Sequence, residues 1–339
     1  MHISKYLPII GIILFIYVIW SSKPFEIMEI FSKISFLYVS VAIFFGVVIS
    51  LMRSFRWKMI VNLHQIHYPL KDCFLAWLVG IAAGTVTLGR IGDFIKAFYL
   101  KSKEKSFGKC LSTVIVDRIF ELSVVIGFAL LGIVFLNYFF GYNFIFYIAV
   151  FLFAATFILA IYIFSKKWLA RKLLKFVFYY FIPKKYKEKT KSNFNSFYDS
   201  IETVKNRKKK IFIILFLSAG IWMFSIIQIQ IIGLALGLEL DYFFLLFIMS
   251  LVIIIELIPV TVSGFGTRES FLIFSFSLIN IGKESAIAFS LLYYIIAYLF
   301  FGIIGFIIWA KRPVNIDISE EDNNQNDSVT NQIQLPTHE

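Results

Sequence analysis

Eight ionisable side chains lie in or beside strongly apolar segments of this 339-residue chain. They are Arg90, Asp93, Asp117, Arg118, Glu121, Glu256, Arg268 and Glu269. Insertion scales put the cost of a central Arg or Asp in a bilayer at about 2.5 to 3.5 kcal/mol, unless the residue is paired or lies in a wet cavity. Such a cost usually marks function, so these residues are the first candidates for a site.

Two of the apolar segments are interrupted by hydroxyl side chains, glycines and an arginine. The first break covers residues 85–93 and the second covers 259–269. The residues concerned are Gly89, Arg90 and Gly92 in the first break, and Gly264, Gly266 and Arg268 in the second. Glycine allows close backbone approach, a guanidinium matches phosphate oxygens, and a helix start points its amides at an anion. The combination favours a lipid phosphate bound by Arg90 and Arg268, with Arg118 nearby.

The acidic residues could support those arginines or carry protons. Asp117 and Glu121 are four residues apart on one helix face, where like charges repel unless a cation or proton intervenes. A partner for Asp117 from the first broken segment is plausible. Thr267 could cap the following helix with Glu269 in its first turn, and Asp93 could act likewise in the first break. Glu256 completes the set of supporting acids.

An alternative role for the eight charges is purely structural. They would then pair with one another to hold the broken helices together. The expected pairs are Arg90 with Asp93, Arg118 with Glu121, and Arg268 with a neighbouring acid.

Composition places these residues in a membrane protein. Hydrophobic residues make up 59% of the chain and charged residues only 16%, with 41 phenylalanines, whereas soluble domains have roughly 25% charged residues. Six segments are apolar and long enough to span a bilayer: 6–21, 35–52, 110–136, 143–164, 211–237 and 285–310. The first is interpreted as a retained helix because no small-residue cleavage site follows it.

Basic residues predict how the chain is threaded. The loop 165–210 holds 15 Lys and Arg against three acids, which favours an anionic membrane face over nucleic acid as the partner, so no nucleic-acid partner is expected. The first broken region, 72–100, should re-enter from the cytoplasm because basic residues lie on both sides of its break: Arg53, Arg56, Lys58 and Lys71 before it, and Lys96, Lys101, Lys103, Lys105 and Lys109 after it. The second, 242–280, lacks such flanks and should re-enter from outside. Both termini are then cytoplasmic, and 27 of the 33 basic residues lie inside.

The predicted fold is therefore an all-α polytopic membrane domain over residues 1–312, with about six spanning helices and two re-entrant hairpins. Helix 35–52, the first hairpin and helix 110–136 match helix 211–237, the second hairpin and helix 285–310 in inverted orientation. Inverted repeats of transporters place substrate near the bilayer midplane. Outside this core, segment 166–177 predicts an amphipathic surface helix, with anionic inner-leaflet lipids as partners of 166–191. The tail 313–339 is expected to be a disordered, acidic cytoplasmic segment.

Other chemistries find little support. His64 and His67 have ligand-like spacing without a third ligand, so no metal is expected. Phosphate-binding loops, zinc-protease and dinucleotide motifs are missing, so no cofactor is expected. Cys73 and Cys110 lie beside basic loops, where a reducing cytoplasm argues against a disulfide.

Three motifs resemble a known family. They are Gly89-Arg90-Ile-Gly92-Asp93, Asp117-Arg118-Ile-Phe-Glu121 and the Pro259–Glu269 run. Together they resemble the flippase-like transmembrane domain of bacterial lysylphosphatidylglycerol synthases and their stand-alone relatives. Asp93 stands where the family pattern has Glu, Asp117 and Glu121 exchange acid types, and Ser263 replaces a glycine.

The resemblance implies a translocase in the cell membrane for an anionic phospholipid or a polyprenyl-phosphate-linked lipid. The full synthases add a cytosolic aminoacyl-transfer domain, and we expect that activity to be absent here. Two other hypotheses stay open: a lipid-modifying enzyme with its site among the intramembrane carboxylates, and a membrane scaffold for a separate aminoacyl or glycosyl transferase. Self-association as a homo-oligomer is also left open by the sequence.

Overall fold

A computed structural model of the chain describes residues 24–87, 90–101, 106–141, 207–257 and 264–313, with scattered positions between 148 and 204. These residues form helices and turns and no strand. The predicted helix 6–21, most of helix 143–164, the amphipathic segment 166–177 and the acidic tail lie outside the described residues. The all-helical class expected from the sequence is confirmed for the rest.

Four helices are long and apolar enough to cross a bilayer. After a short helix α1 (Pro24–Ser32), they are α2 (Phe36–Leu63), α5 (Phe107–Phe140), α6 (Lys208–Ala235) and the continuous pair α9 (Lys283–Tyr294) and α10 (Phe300–Lys311). A π-helical segment, Ile295–Leu299, joins α9 to α10. Phenylalanines on their outer faces, such as Phe44, Phe216 and Phe306, are more than 60% exposed. Exposed aromatic surface on this scale is expected of residues that face lipid.

Each broken region forms a helical hairpin. In the first, α3 (Leu70–Thr85) is followed by a 3-10 turn over Ile91–Phe94 and helix α4 (Ile95–Lys101), which fold back against α3. In the second, α7 (Tyr242–Leu257) contacts α8 (Thr267–Ser277) after the break. With a rise of 1.5 Å per residue, α3 and α7 are each about 24 Å long, less than the roughly 30 Å hydrocarbon core.

Each hairpin packs against a helix from the other half of the chain. Helix α2 packs along α6, whereas α3 of the first hairpin packs on α10 and α7 of the second packs on α5. Glycines bring both exchanged pairs close. A Cβ on Gly305 of α10 would overlap the carbonyl of Leu78 in α3, and one on Gly132 of α5 would lie 2.8 Å from Cβ of Phe247 in α7. Each hairpin is therefore held by the last long helix of the opposite half.

The apolar core is centred on α7, whose sequence is hydrophobic on all sides. Leu245, Ile248, Met249 and Val252 are completely buried there. A helix without a polar face belongs in the interior of a bundle or in a membrane. The only acid of α7, Glu256, lies at the end of this helix, just before the second break, and it is 2% exposed.

Candidate functional site

The ionisable residues singled out in the sequence form two neighbouring clusters. The first cluster contains Arg53, Arg56, Asp93, Lys96, Asp117, Arg118 and Glu121 from α2, the first hairpin and α5. The second cluster contains Arg90, Glu256, Arg268 and Glu269 with Ser290, Tyr293 and Tyr298. Counted together, the described side chains of both clusters carry six basic groups and five carboxylates. The formal balance is a surplus of one positive charge.

Arg56 resolves the repulsion between Asp117 and Glu121. Its Nε donates to Asp117 Oδ1 at 2.9 Å, and its Nη2 lies 3.7 Å from Glu121 Oε2. The guanidinium also donates to Ser218 of α6 at 3.3 Å. Lys96 of α4 reaches Asp117 Oδ2 at 3.5 Å, so the first hairpin does supply a partner for Asp117. One cation therefore bridges the two acids, as the like-charge spacing requires.

Arg118 spans the two remaining acids of the first cluster. Its Nη1 donates to Glu121 at 2.7 Å, which is the expected pair three residues apart, and its Nη2 is ion-paired with Asp93. Asp93 also lies 3.6 Å from Lys96 Nζ. Asp93 is not a helix cap: Arg90 occupies the N-cap position of the 3-10 turn, and the carboxylate of Asp93 is directed at these two cations.

Gly92 is required where the first hairpin closes. A Cβ at this position would overlap the backbone carbonyl of Ala83 in α3 and would lie 2.9 Å from the amide of Gly84. The turn packs on the helix backbone itself, which only glycine permits. This contact places Asp93 and Lys96 against α5. The preceding glycine, Gly89, lies outside the described residues.

Arg268 is enclosed by acceptors in the second cluster. Its guanidinium donates to Glu269 Oε1 at 2.7 Å, to Ser290 at 2.8 Å and to Glu256 Oε1 at 3.4 Å, and the side chain is completely buried. The expected pairing with neighbouring acids is present. All three guanidinium nitrogens are thus occupied in this conformation.

Glu269 also starts helix α8. Its Oε2 accepts from the amide of Gly266 at 2.6 Å, and Gly266 is the N-cap. Glu269 therefore does act in the first turn, as expected. Thr267 is not the cap, because it is already the first helical residue and its hydroxyl donates to the Gly264 carbonyl. Gly264, at φ +75°, lets the turn approach Glu256, where a Cβ would lie 2.6 Å from Glu256 Cγ.

Arg90 links the first hairpin to the second. The expected pair with Asp93 is not formed; Arg90 Nη2 instead contacts Glu256 Oε2 at 2.5 Å. The guanidinium also lies 4.3 Å from the ring centroid of Tyr298, which belongs to the π-helical segment. The backbone of Arg90 is left-handed, at φ 57°, a conformation that non-glycine residues hold only when surrounding contacts impose it.

A pocket opens between the clusters, and basic side chains line it. Arg53, Arg90 and Arg118 contribute to its wall together with Asp93, Trp77 and Tyr298. Arg268 does not line this pocket. The geometry therefore brings Arg90 and Arg118 to one cavity, while Arg268 lies behind Glu256.

Several members of this site are not among the residues that the sequence singles out. Arg56 and Lys96 were counted as cytoplasmic flanking residues, yet they are 1% and 0% exposed. Helix α2 continues through Arg53 and Arg56 to Leu63, eleven residues beyond the predicted span, because acids of α5 neutralise these charges. The helical spacing of Arg53 and Arg56 after a long apolar run was the available signal. No signal of this kind marked Tyr298.

Comparison with known proteins assigns the family. The family model described as the lysylphosphatidylglycerol synthase TM region matches residues 8–305. A relative from Methanocaldococcus jannaschii, the UPF0104 membrane protein MJ1595, is 28% identical over 293 residues, which cover 82% of this chain and 86% of that protein. The matched region includes every residue of both clusters, and the resemblance seen in the sequence motifs is confirmed. The chain is a multi-pass membrane protein that belongs to the lysylphosphatidylglycerol synthase transmembrane-region family.

Proposed function

We propose that this protein moves an anionic phospholipid or another lipid-linked phosphate headgroup between the leaflets of the plasma membrane. The observation that carries the proposal is the pocket shared by Arg90, Arg118 and Arg53. A planar guanidinium binds phosphate oxygens through paired hydrogen bonds. A phosphodiester carries one negative charge, which equals the formal surplus of the two clusters.

The surrounding acids have a defined part in this proposal. Asp93 and Glu121 hold Arg118, Glu256 holds Arg90, and Asp117 is held by Arg56 and Lys96. Buried charges left without partners would be costly, so these contacts keep the pocket intact while no lipid is bound. Arg268, with Gly264, Gly266 and Glu269, contributes from the second hairpin by orienting Glu256, and it reaches a headgroup only when that hairpin moves.

The proposal includes the membrane topology expected from the sequence. We place both hairpins as re-entrant segments that enter from opposite sides, with both termini in the cytoplasm. Two features support an inverted repeat: the exchange of hairpins between the halves, and the paired close approaches at Gly132 and Gly305. In such an arrangement the meeting point of the hairpins is the midplane, where transporters bind substrate.

Leaflet exchange in proteoliposomes tests the function. Purified protein is reconstituted with an acyl-labelled phosphatidylglycerol, and a membrane-impermeant quencher reports the fraction of label that crosses. Arg90→Ala and Arg118→Ala should abolish exchange, whereas Arg90→Lys, which retains charge without the planar fork, should retain part of it. Arg312→Ala is the matched control because Arg312 is exposed and its ion-pair partner, Asp72, belongs to neither cluster.

Each variant needs a stability measurement beside the exchange assay. A folded Arg90→Ala or Arg118→Ala protein that loses exchange supports the lipid site. Full exchange by both folded variants would contradict it. Formation of a chemically altered lipid, detected by mass spectrometry, would support the enzyme hypothesis instead.

A further inference from the structure

The arginine-lined pocket adjoins a second cavity with a different chemical character. Ser50, Ser225, Gln228 and Tyr293 line this second pocket, between α2, α6 and α9. Arg53, Trp77 and Tyr298 contribute to the walls of both pockets, so the two cavities meet at these residues. The polar groups of the second pocket are thus mainly hydroxyl, amide and indole groups, set among apolar side chains such as Ile49, Ile229 and Phe301.

Two buried hydrogen-bond donors, Trp77 Nε1 and Arg53 Nε, belong to residues that line both pockets. Among the described residues, no acceptor lies within hydrogen-bonding range of Trp77 Nε1 or Arg53 Nε, although both atoms are buried. Trp77 is 2% exposed, and the Arg53 guanidinium lies 5.9 Å from its ring centroid. A buried donor without an acceptor typically costs 1–3 kcal/mol, and such groups are rare in folded proteins. An oxygen atom bound at this junction would satisfy them.

The rest of the second pocket defines which oxygen-bearing group fits. Ser225 donates to Ile221 and Gln228 Nε2 donates to the Ala42 carbonyl, so the Ser225 oxygen and the Gln228 carbonyl keep capacity to accept. Groups that both donate and accept, such as hydroxyls, match this lining. No carboxylate is among the described residues that line the pocket. A primary ammonium would therefore be desolvated beside Arg53 without a counter-ion.

On the basis of the proposed function, we infer that the transported headgroup is a phosphodiester that bears uncharged hydroxyls, as a glycerol or sugar headgroup does. Trp77 and Arg53 bind the first uncharged oxygen of this headgroup. The phosphate occupies the pocket of Arg90 and Arg118, and the hydroxyls extend into the second pocket. The site therefore selects among anionic lipids by the chemistry beyond the phosphate.

Four labelled lipids in the same proteoliposomes test the inference. Phosphatidylglycerol and phosphatidylinositol carry hydroxyls and one net negative charge; phosphatidylserine has the same net charge but an ammonium group; phosphatidic acid ends at the phosphate. We expect the two polyol lipids to exchange faster than the other two. Trp77→Phe, which removes the N–H and keeps an aromatic ring, should reduce that preference roughly fivefold, the worth of one hydrogen bond.

Controls separate this inference from the proposed function. Trp309→Phe changes a tryptophan outside both pockets and should leave the preference unchanged. If all four lipids exchange equally in the native protein, or if folded Trp77→Phe and Ser50→Ala variants keep the full preference, the inference is wrong while the flippase proposal stands. If only a water molecule binds at Trp77 and Arg53, the folded Trp77→Phe and Ser50→Ala variants would keep the full preference. Failure of every lipid to exchange would overturn both.

Discussion

Arg90 and Glu256 are 166 residues apart in the chain, yet Arg90 Nη2 and Glu256 Oε2 are 2.5 Å apart in the fold. Their contact joins the two hairpins. The other oxygen of the same carboxylate, Oε1, lies 3.4 Å from Arg268 Nη1. One carboxylate thus serves two arginines, and the link between the hairpins depends on its charge.

Neutralising Glu256 should therefore destabilise the protein strongly. Glu256→Gln keeps the shape of the side chain but leaves Arg90 without its carboxylate and removes one of the two that contact Arg268. Breaking a buried pair by removing one partner typically costs about 3 to 5 kcal/mol. We expect a clear fall in thermal stability in detergent, and a double change with Arg90→Gln should recover part of it.

The exposed pair Glu29 and Lys33 provides the control. These side chains are 2.6 Å apart and mostly solvent-exposed, so Glu29→Gln should cause no measurable change. Equal stability of Glu256→Gln and Glu29→Gln would show that the contact between the hairpins contributes nothing.

Gly92→Ala tests the close packing of the first hairpin. The new methyl group would overlap the Ala83 carbonyl, a backbone atom that cannot rotate away. Overpacking of this kind typically costs about 1 to 3 kcal/mol, and it would also displace Asp93 from Arg118. We expect lower thermal stability together with slower lipid exchange.

Gly127→Ala on α5 is the control. Its new methyl group would meet no atom within 4 Å, so this variant should be as stable as the native protein or slightly more stable. A fully stable Gly92→Ala protein would contradict the described turn.

The sequence was sufficient to single out the eight ionisable residues at membrane depth, but it indicated neither the part of Arg53, Arg56 and Lys96 in their cluster nor how the charges pair. Ionisable residues in apolar segments are so costly that their position alone indicates a shared role. Local spacing then predicted Arg118 with Glu121, which is correct, and Arg90 with Asp93, which is wrong. Asp93 is turned toward α5 by the packing of Gly92, and the actual partner of Arg90 comes from a different hairpin. Spacing along one segment carries no information about such a contact.

The number of basic residues beside a segment predicts its orientation but not which of those residues are buried. Lys96 lies near the end of an apolar segment, where a sequence cannot distinguish a loop lysine from a buried one. The structure places its ammonium group 4.2 Å from the ring centroid of Trp77 and within ion-pair range of Asp93 and Asp117. The contacts with Trp77 and Asp117 come from two other helices and help to stabilise the buried charge, and neither is visible in local composition; only Asp93, three residues away, is a local partner.

His64 should make stability depend on pH below neutrality. It follows the last residue of α2, is 2% exposed, and its Nδ1 contacts the Ile60 carbonyl at 2.8 Å. Burial, opposed in part by the Ile60 contact and assisted by the nearby Lys109 charge, lowers the pKa of His64 from its usual 6.5 to about 4. The unfolded chain, with a pKa near 6.5, binds the proton first. Stability is therefore complete above about pH 6.5 and falls as the pH drops toward 4, by up to about 3 kcal/mol.

The comparison of two histidine variants isolates this effect. His64→Gln cannot titrate, and its amide can still donate to Ile60, so the fall in melting temperature between pH 6.5 and 4.5 should be smaller than in the native protein. His67 is exposed, and His67→Gln should leave the native pH profile unchanged. Identical profiles for the native and His64→Gln proteins would show that His64 does not control this range.

Single cysteines at the ends of the hairpins test the proposed topology. Lys71 and Lys101 lie at the two ends of the first hairpin, and Glu239 and Lys283 flank the second. In the proposed topology each hairpin returns to the side of the membrane from which it entered, so both members of a pair should behave alike. A membrane-impermeant maleimide added to intact cells should label Glu239→Cys and Lys283→Cys, and should reach Lys71→Cys and Lys101→Cys only after the membrane is opened. The native Cys73 and Cys110 are both buried, so they should contribute little background. Labelling of one member of a pair from outside and the other from inside would mean that this hairpin crosses the bilayer. That result would remove the inverted repeat, because the two halves would no longer be related by opposite orientation.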